Sequence, residues 1–155
     1  MMQRMDYAQA APGAFRAMAA FERYVRECGL EQPLLELVKI RASQVNACAY
    51  CLDMHTKDAR AAGETEQRIY LLSAWRESPC YSGRERAALE WTEAVTRIGT
   101  APPSDALYTE VRDHFTEAEL VNLTMAVNAI NGWNRLAISF RSEVGHHQPK
   151  GPATA

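Results

Sequence analysis

Residues 34–63 read LLELVKIRASQVNACAYCLDMHTKDARAAG, and the interpretation of this stretch decides the fold. No glycine or proline interrupts Leu34 to Ala62, so the whole stretch has helical character. Within it Cys48, Cys51 and His55 form a C-x-x-C-x-x-x-H pattern, with the first cysteine expected at a helix start. Residues three, four and seven apart share one helical face, so two thiols and an imidazole line a single stripe. Such a stripe suits thiol chemistry or metal binding.

Composition narrows the class. The chain has 155 residues, a usual length for one domain with its own core. Apolar residues make up 47% and charged residues 23%, as in ordinary globular proteins. A net charge of −2 offers no electrostatic footprint for nucleic acid. No apolar run approaches the ~20 residues that span a bilayer, and MMQRMDYAQAAPG lacks the apolar core of a secretory signal. The expectation is a cytoplasmic protein. Four cysteines in this length do not suggest a disulfide scaffold, and in a reducing compartment a C-x-x-C is more often redox-active or metal-binding. Cys28 and Cys80 stand alone and read as small buried apolar residues.

The rest of the chain reads as helices. Met1 to Pro12 lacks clear periodicity and is expected either to fray or to lie over a neighbour. Phe15, Met18, Ala19, Phe21, Val25 and Cys28 recur at helical spacing before Gly29, a natural stop. Pro33 suits the first turn of the next helix. Thr65 can cap a helix running to Trp75, and Ser82 with Glu85 forms a capping-box pattern. After the break at Gly99 to Pro103, Ser104 caps a helix over Leu107 to Phe115. Thr116 with Glu119 then opens a long helix, Leu120 to Phe140, which tolerates Gly132. No segment alternates like a strand. The fold class is all-α with six to eight helices, in one domain over residues 1–141. Residues 142–155, rich in glycine, proline and small residues, form a flexible tail in which His146 and His147 are solvated. Trp75, Trp91 and Trp133 read as core or subunit-contact residues. Asn128, Asn131 and Asn134 gather amides near one face, where buried amides need partners such as helix ends.

The chemistry of the central stretch follows from thiol acidity. A free thiol is mostly protonated near pH 7, and only the thiolate attacks. Unpaired N–H groups and the positive end of a helix dipole lower that barrier. His55, one turn beyond Cys51, can take the Cys51 proton. Cys51 can then attack a peroxide O–O bond, become a sulfenic acid and close a disulfide with Cys48. An outside dithiol reopens that disulfide by exchange. An imidazole relay works better with a carboxylate partner, and Glu36 is the candidate. In one straight helix Glu36 and His55 lie ~28 Å apart. If the chain turns back near Asn46-Ala47, their depths from the turn are roughly 16 and 12 Å, within one helical turn of each other. The relay therefore requires a break between Ser43 and Cys48.

Glu36, Cys48, Cys51 and His55, with the surrounding KIRASQVNACAYCLDMHTKDAR, resemble the carboxymuconolactone decarboxylase superfamily in its alkylhydroperoxidase D-like (AhpD-like) branch. The resemblance extends to residues 85–95, ERAALEWTEAV, and 128–137, NAINGWNRLA. It implies an all-helical AhpD-like fold assembling as a trimer or hexamer. It also implies a peroxidatic Cys51, a resolving Cys48 and a His55–Glu36 proton relay, with no cofactor and no metal. The implied partners are a small-molecule peroxide and a dithiol reductant of the dihydrolipoyl type. In the best-known peroxidase members the residue before the second cysteine is also a relay histidine; here it is Tyr50. Two other readings stay open. One is a non-catalytic helical oligomer whose C-x-x-C senses redox state or holds zinc, with Cys28 or Cys80 as a fourth ligand. The other is a decarboxylase-type lyase, against which the C-x-x-C argues.

Overall fold

The computed structural model describes residues 2–149, which form eight α-helices and no strand among them. They are α1 (Tyr7–Ala10), α2 (Pro12–Glu27), α3 (Gln32–Val45), α4 (Ala49–Ala61), α5 (Glu66–Leu71), α6 (Gly83–Thr96), α7 (Asp105–Arg112) and α8 (Glu117–Phe140). A single 3-10 turn, Leu72–Ala74, continues α5 toward Trp75.

Local chemistry sets most of the boundaries. Pro33 lies in the first turn of α3, where its missing N–H costs nothing. Thr65 caps α5 and Ser104 caps α7. Ser82–Glu85 and Thr116–Glu119 both make complete capping boxes, opening α6 and α8. Gly63 ends α4 with φ +99°, a conformation that costs glycine little.

Helix α3 is the axis of the molecule. It packs against α4, α6 and α8, and every residue from Leu34 to Ser43 except Glu36 is buried. One face, Leu34, Leu35 and Val38, joins Val25, Leu123, Ala126 and Val127 in the largest apolar cluster. Leu37 and Ile40 point the other way, against Leu72, Trp75 and Leu89. Burying a residue such as Leu or Ile contributes roughly 1.5–3 kcal/mol, so a helix this enclosed is held firmly. A Cβ at Gly132 of α8 would lie 2.8 Å from Met18 Cε of α2, so the flexible end of that side chain would have to shift.

The structure takes the second of the two alternatives for the N-terminal segment and corrects two other expectations. The N-terminal segment is ordered along α8, where the Arg4 amide donates to the Phe140 carbonyl at 3.0 Å, and Asp6 caps the short α1. Residues 145–147, expected in a loose tail, lie against α4. The Gly145 amide donates to Asp53 Oδ2 at 3.1 Å, and His147 Nε2 is 2.6 Å from Asp58 Oδ1. His146 is exposed, and residues 150–155 of that expected tail are outside the described residues. Cys28 and Cys80 are half-buried rather than buried, packed at the edges of two different apolar clusters.

Candidate active site

The site begins where α3 stops. No residue in the turn is a glycine, yet the chain reverses at Asn46, Ala47 and Cys48. Ala47 takes the left-handed conformation with φ +54°. The Cys48 amide donates to the Ser43 carbonyl at 2.9 Å, and the Ala47 amide to the Gln44 carbonyl at 3.2 Å. These are the two hydrogen bonds of a Schellman cap, normally built around glycine. Alanine pays about 1–2 kcal/mol to stand there, and α8 supplies compensation. Asn46 Nδ2 donates to Asn131 Oδ1 at 2.9 Å and to Asn134 Oδ1 at 2.8 Å. Asn134 Nδ2 donates to Ser43 Oγ at 3.0 Å, and Asn131 Nδ2 donates to Thr96 Oγ1 at 3.0 Å. Two of the three clustered amides thus serve a helix end; Asn128 is exposed and does not.

The turn sets Cys48 at the N-cap of α4 and Cys51 in its first turn. Both thiols are free and buried, packed with Ala42, Ile130 and Ala137, and flanked by Tyr50 and Trp133. The sulfurs lie 2.8 Å apart and share a hydrogen bond. The Cys48 thiol is lowered to about 7, first by the hydrogen bond from Cys51, which outweighs burial, then by backbone N–H groups of Cys51 and Tyr50 and the Asn134 amide. Cys51 is pushed up because its neighbour already holds the shared charge. The two sulfurs therefore act as one unit that gives up a first proton easily and a second with difficulty. In the resting site the charge lies on the Cys48 side, at the helix N-terminus.

His55 is one turn further along α4 and is 7% exposed. Its Nδ1 lies 2.9 Å from Glu36 Oε2 on α3. The break between Ser43 and Cys48 thus brings together the acid and imidazole that a straight helix would separate. Among the described residues Nε2 has no hydrogen-bond partner. Burial opposes the charge of Glu36, but the His55 hydrogen bond, the His55 charge and Lys39 together hold the carboxyl below its usual range. Tyr50 is half-buried, and burial first, then the Cys51 and Cys48 charges, raise its phenol. It is a neutral O–H near neutral pH and no substitute for a histidine base.

The sequence reading placed the turn at Asn46-Ala47 but missed the bracing role of the Asn46 side chain, and it missed Lys39. Asn46 followed by alanine carries no turn signal as strong as Asn-Gly, and a single lysine inside a helix looks like a solvated residue. For the zinc reading, no group of three or more His, Cys, Asp or Glu side chains is gathered as a metal ion would need among the described residues. Trp133, packed against the thiol cluster, begins a row of aromatic contacts. Trp133 meets Phe15 edge-on at 5.8 Å, and Tyr7 lies 5.9 Å from Phe140. Tyr7, Phe15, Met18, Leu136 and Phe140 line a cavity of about 540 Å³.

The profile of the carboxymuconolactone decarboxylase family matches residues 12–94. The chain belongs to the carboxymuconolactone decarboxylase family. It is 47% identical over 140 residues to the uncharacterized protein YdfG of Bacillus subtilis, covering 90% of this chain and 95% of that one. The uncharacterized protein YnjA of Escherichia coli is 31% identical over 115 residues, covering 73% of this chain and 59% of its own length. A crystal structure from Agrobacterium tumefaciens, of a protein of unknown function described as a candidate AhpD antioxidant defence protein, superposes with a TM-score of 0.91. It is 46% identical and covers 94% of this chain and 100% of that one. Within the family the chain therefore falls in the AhpD-like branch. The debrominase Bmp8 has the same fold, with a TM-score of 0.80 at 16% identity over 89% of this chain and 74% of its own. Among the described residues no helix is long and apolar enough to cross a membrane.

Proposed function

We propose that this protein is a thiol-dependent peroxidase and disulfide reductase. The observation that carries the reading is the pair of free sulfurs 2.8 Å apart at the start of α4, with the His55–Glu36 pair one turn beyond. The neighbours add an antioxidant or peroxidase-related context.

The chemistry runs in three balanced steps. The sulfur pair gives up one proton to the imidazole, and Cys51, the sulfur nearer His55 along α4, attacks one oxygen of a hydroperoxide. The shared thiolate charge reaches Cys51 by moving one proton between sulfurs already in contact. The O–O bond breaks, Cys51 becomes a sulfenic acid, and the departing alkoxide takes the proton from His55. Cys48 then attacks the Cys51 sulfur, releasing water and closing a disulfide. An external dithiol, of the dihydrolipoyl type, attacks that disulfide and leaves as its own cyclic disulfide. Glu36 orients the ring and stabilises its charged form in passing. The reading includes a homo-oligomer, trimer or hexamer, working in a reducing compartment such as the cytoplasm, where the thiols stay free.

The test is a thiol count of the reduced protein before and after one equivalent of cumene hydroperoxide, followed by peptide mapping. Loss of two thiols, both at Cys48 and Cys51, is expected, and Cys51→Ser should abolish turnover while Cys48→Ser traps a sulfenic acid. An unchanged thiol count, or full turnover by the Cys51 variant, removes the reading. Retention of one equivalent of zinc per chain would favour the zinc-holding alternative.

A further inference from the structure

One buried charge on α3 has no part in the steps above. Lys39 is 2% exposed. Its Nζ donates to Glu22 Oε1 of α2 at 2.6 Å and stands 3.8 Å from Glu36 Oε1. The other oxygen of Glu36 is the one that meets His55 Nδ1. Glu22, Lys39, Glu36 and His55 therefore form a row of groups crossing three helices, with a cation between two carboxylates.

A buried ammonium is costly to desolvate, and apolar residues in place of a whole buried ion-pair cluster often leave stability unchanged or raised. Stability alone is thus a weak reason for a lysine at this position. Its placement is specific, because Lys39 is three residues from Glu36 and shares its face. The remaining charges around α3 are engaged elsewhere. From α6, Glu93 goes to Arg41, Arg76 and Arg97. From α4, Asp53 pairs with Lys57 and Asp58 meets His147. From α8, the amides of Asn131 and Asn134 serve the turn.

A carboxylate alone beside an imidazole favours the imidazolium, which cannot accept a proton. A cation on the far oxygen of that carboxylate opposes this. We propose that Lys39 is a positioning residue for the relay: it draws off part of the Glu36 charge, so that the Glu36–His55 pair lets go of its proton more readily, and Glu22 weakens that pull from the other side. The inference rests on the relay described under Proposed function, and it gives Lys39 and Glu22 opposite signs.

The test follows the His55 ring by proton–nitrogen NMR in the reduced, full-length protein, with the signal assigned by its loss in His55→Asn. Titrations compare the unaltered protein with Lys39→Met, Lys39→Arg and Glu22→Gln. Lys39→Met should move the protonation midpoint of the Glu36–His55 pair to higher pH by roughly one unit, the lower end of what a charge within 4–6 Å produces. Glu22→Gln should move it to lower pH, and Lys39→Arg should restore it. A merely structural lysine would leave the midpoints where they are. Unmoved midpoints, or shifts in the same direction in Lys39→Met and Glu22→Gln, overturn the proposal. If Lys39→Met does not fold, Glu22→Gln decides: a downward shift supports the proposal and no shift ends it. Turnover of cumene hydroperoxide, measured on the same samples, separates the two readings. Opposite shifts without turnover keep Lys39 in its role and remove the peroxidase; turnover without shifts does the reverse.

Discussion

Asn134→Ala tests the idea that α8 both braces the turn and tunes the sulfurs. Asn134 is 1% exposed and links Asn46 to Ser43 through hydrogen bonds of 2.8 and 3.0 Å. Each bond contributes about 1 kcal/mol net, and the buried Ser43 hydroxyl left without this donor costs a further ~1–2 kcal/mol. Asn46 keeps Asn131 as a partner, so its loss is partial. The sum is roughly 2–4 kcal/mol. At ~2–4 °C per kcal/mol for a chain of this size, the melting temperature should fall by about 5–15 °C. The second readout is the pH dependence of alkylation by iodoacetamide. In the unaltered protein the rate should rise through about 7, chiefly because Cys51 donates to Cys48, with Asn134 adding to the effect. Removing the amide should raise that midpoint. A variant that melts with the unaltered protein and alkylates at the same midpoint would refute the reasoning.

Two further outcomes follow from single positions. Ala47→Gly should stabilise the protein by about 0.5–1 kcal/mol: relief of the left-handed strain exceeds the extra freedom glycine brings to the unfolded chain. Urea titration checks it, and a loss of stability would count against the cap at residues 43–48. Glu36→Gln should slow peroxide turnover on the order of 10–100-fold, part of what a positioned proton acceptor is worth. It should also flatten the acid limb of stability. The Glu36 carboxyl is held below its usual value, so its contribution is present above about 4.5 and is lost as the pH falls through the folded value. Unfolding of both proteins at pH 3 and pH 6 measures the difference.

The helices were legible because their ends carry chemistry that can be read one residue at a time. Ser82 with Glu85 and Thr116 with Glu119 announce α6 and α8, and Pro33 announces α3. The decisive break was legible only by inference. Ala47 holds a backbone conformation for which alanine has no preference, and the groups that keep it there come from α8, some 85 residues later in the chain. A propensity argument cannot see a conformation enforced at that distance. Glu36 could be nominated because its spacing fits a fold-back, and the structure places it 2.9 Å from His55. Lys39 could not, since its burial depends on α2 bringing Glu22 across it. Residues 145–147 were read as tail from composition, whereas Asp53, Lys57 and Asp58 of α4 give that segment polar partners.

The brace that shapes the thiol turn is made of amides, hydroxyls and backbone groups, with one guanidinium, Arg135, donating to Asn131. None of these changes charge between mildly acidic and mildly alkaline solution. Acidity can therefore silence the sulfurs while leaving the cradle that holds them intact, and a sample inactivated by a brief acid exposure should recover on neutralisation without having to refold.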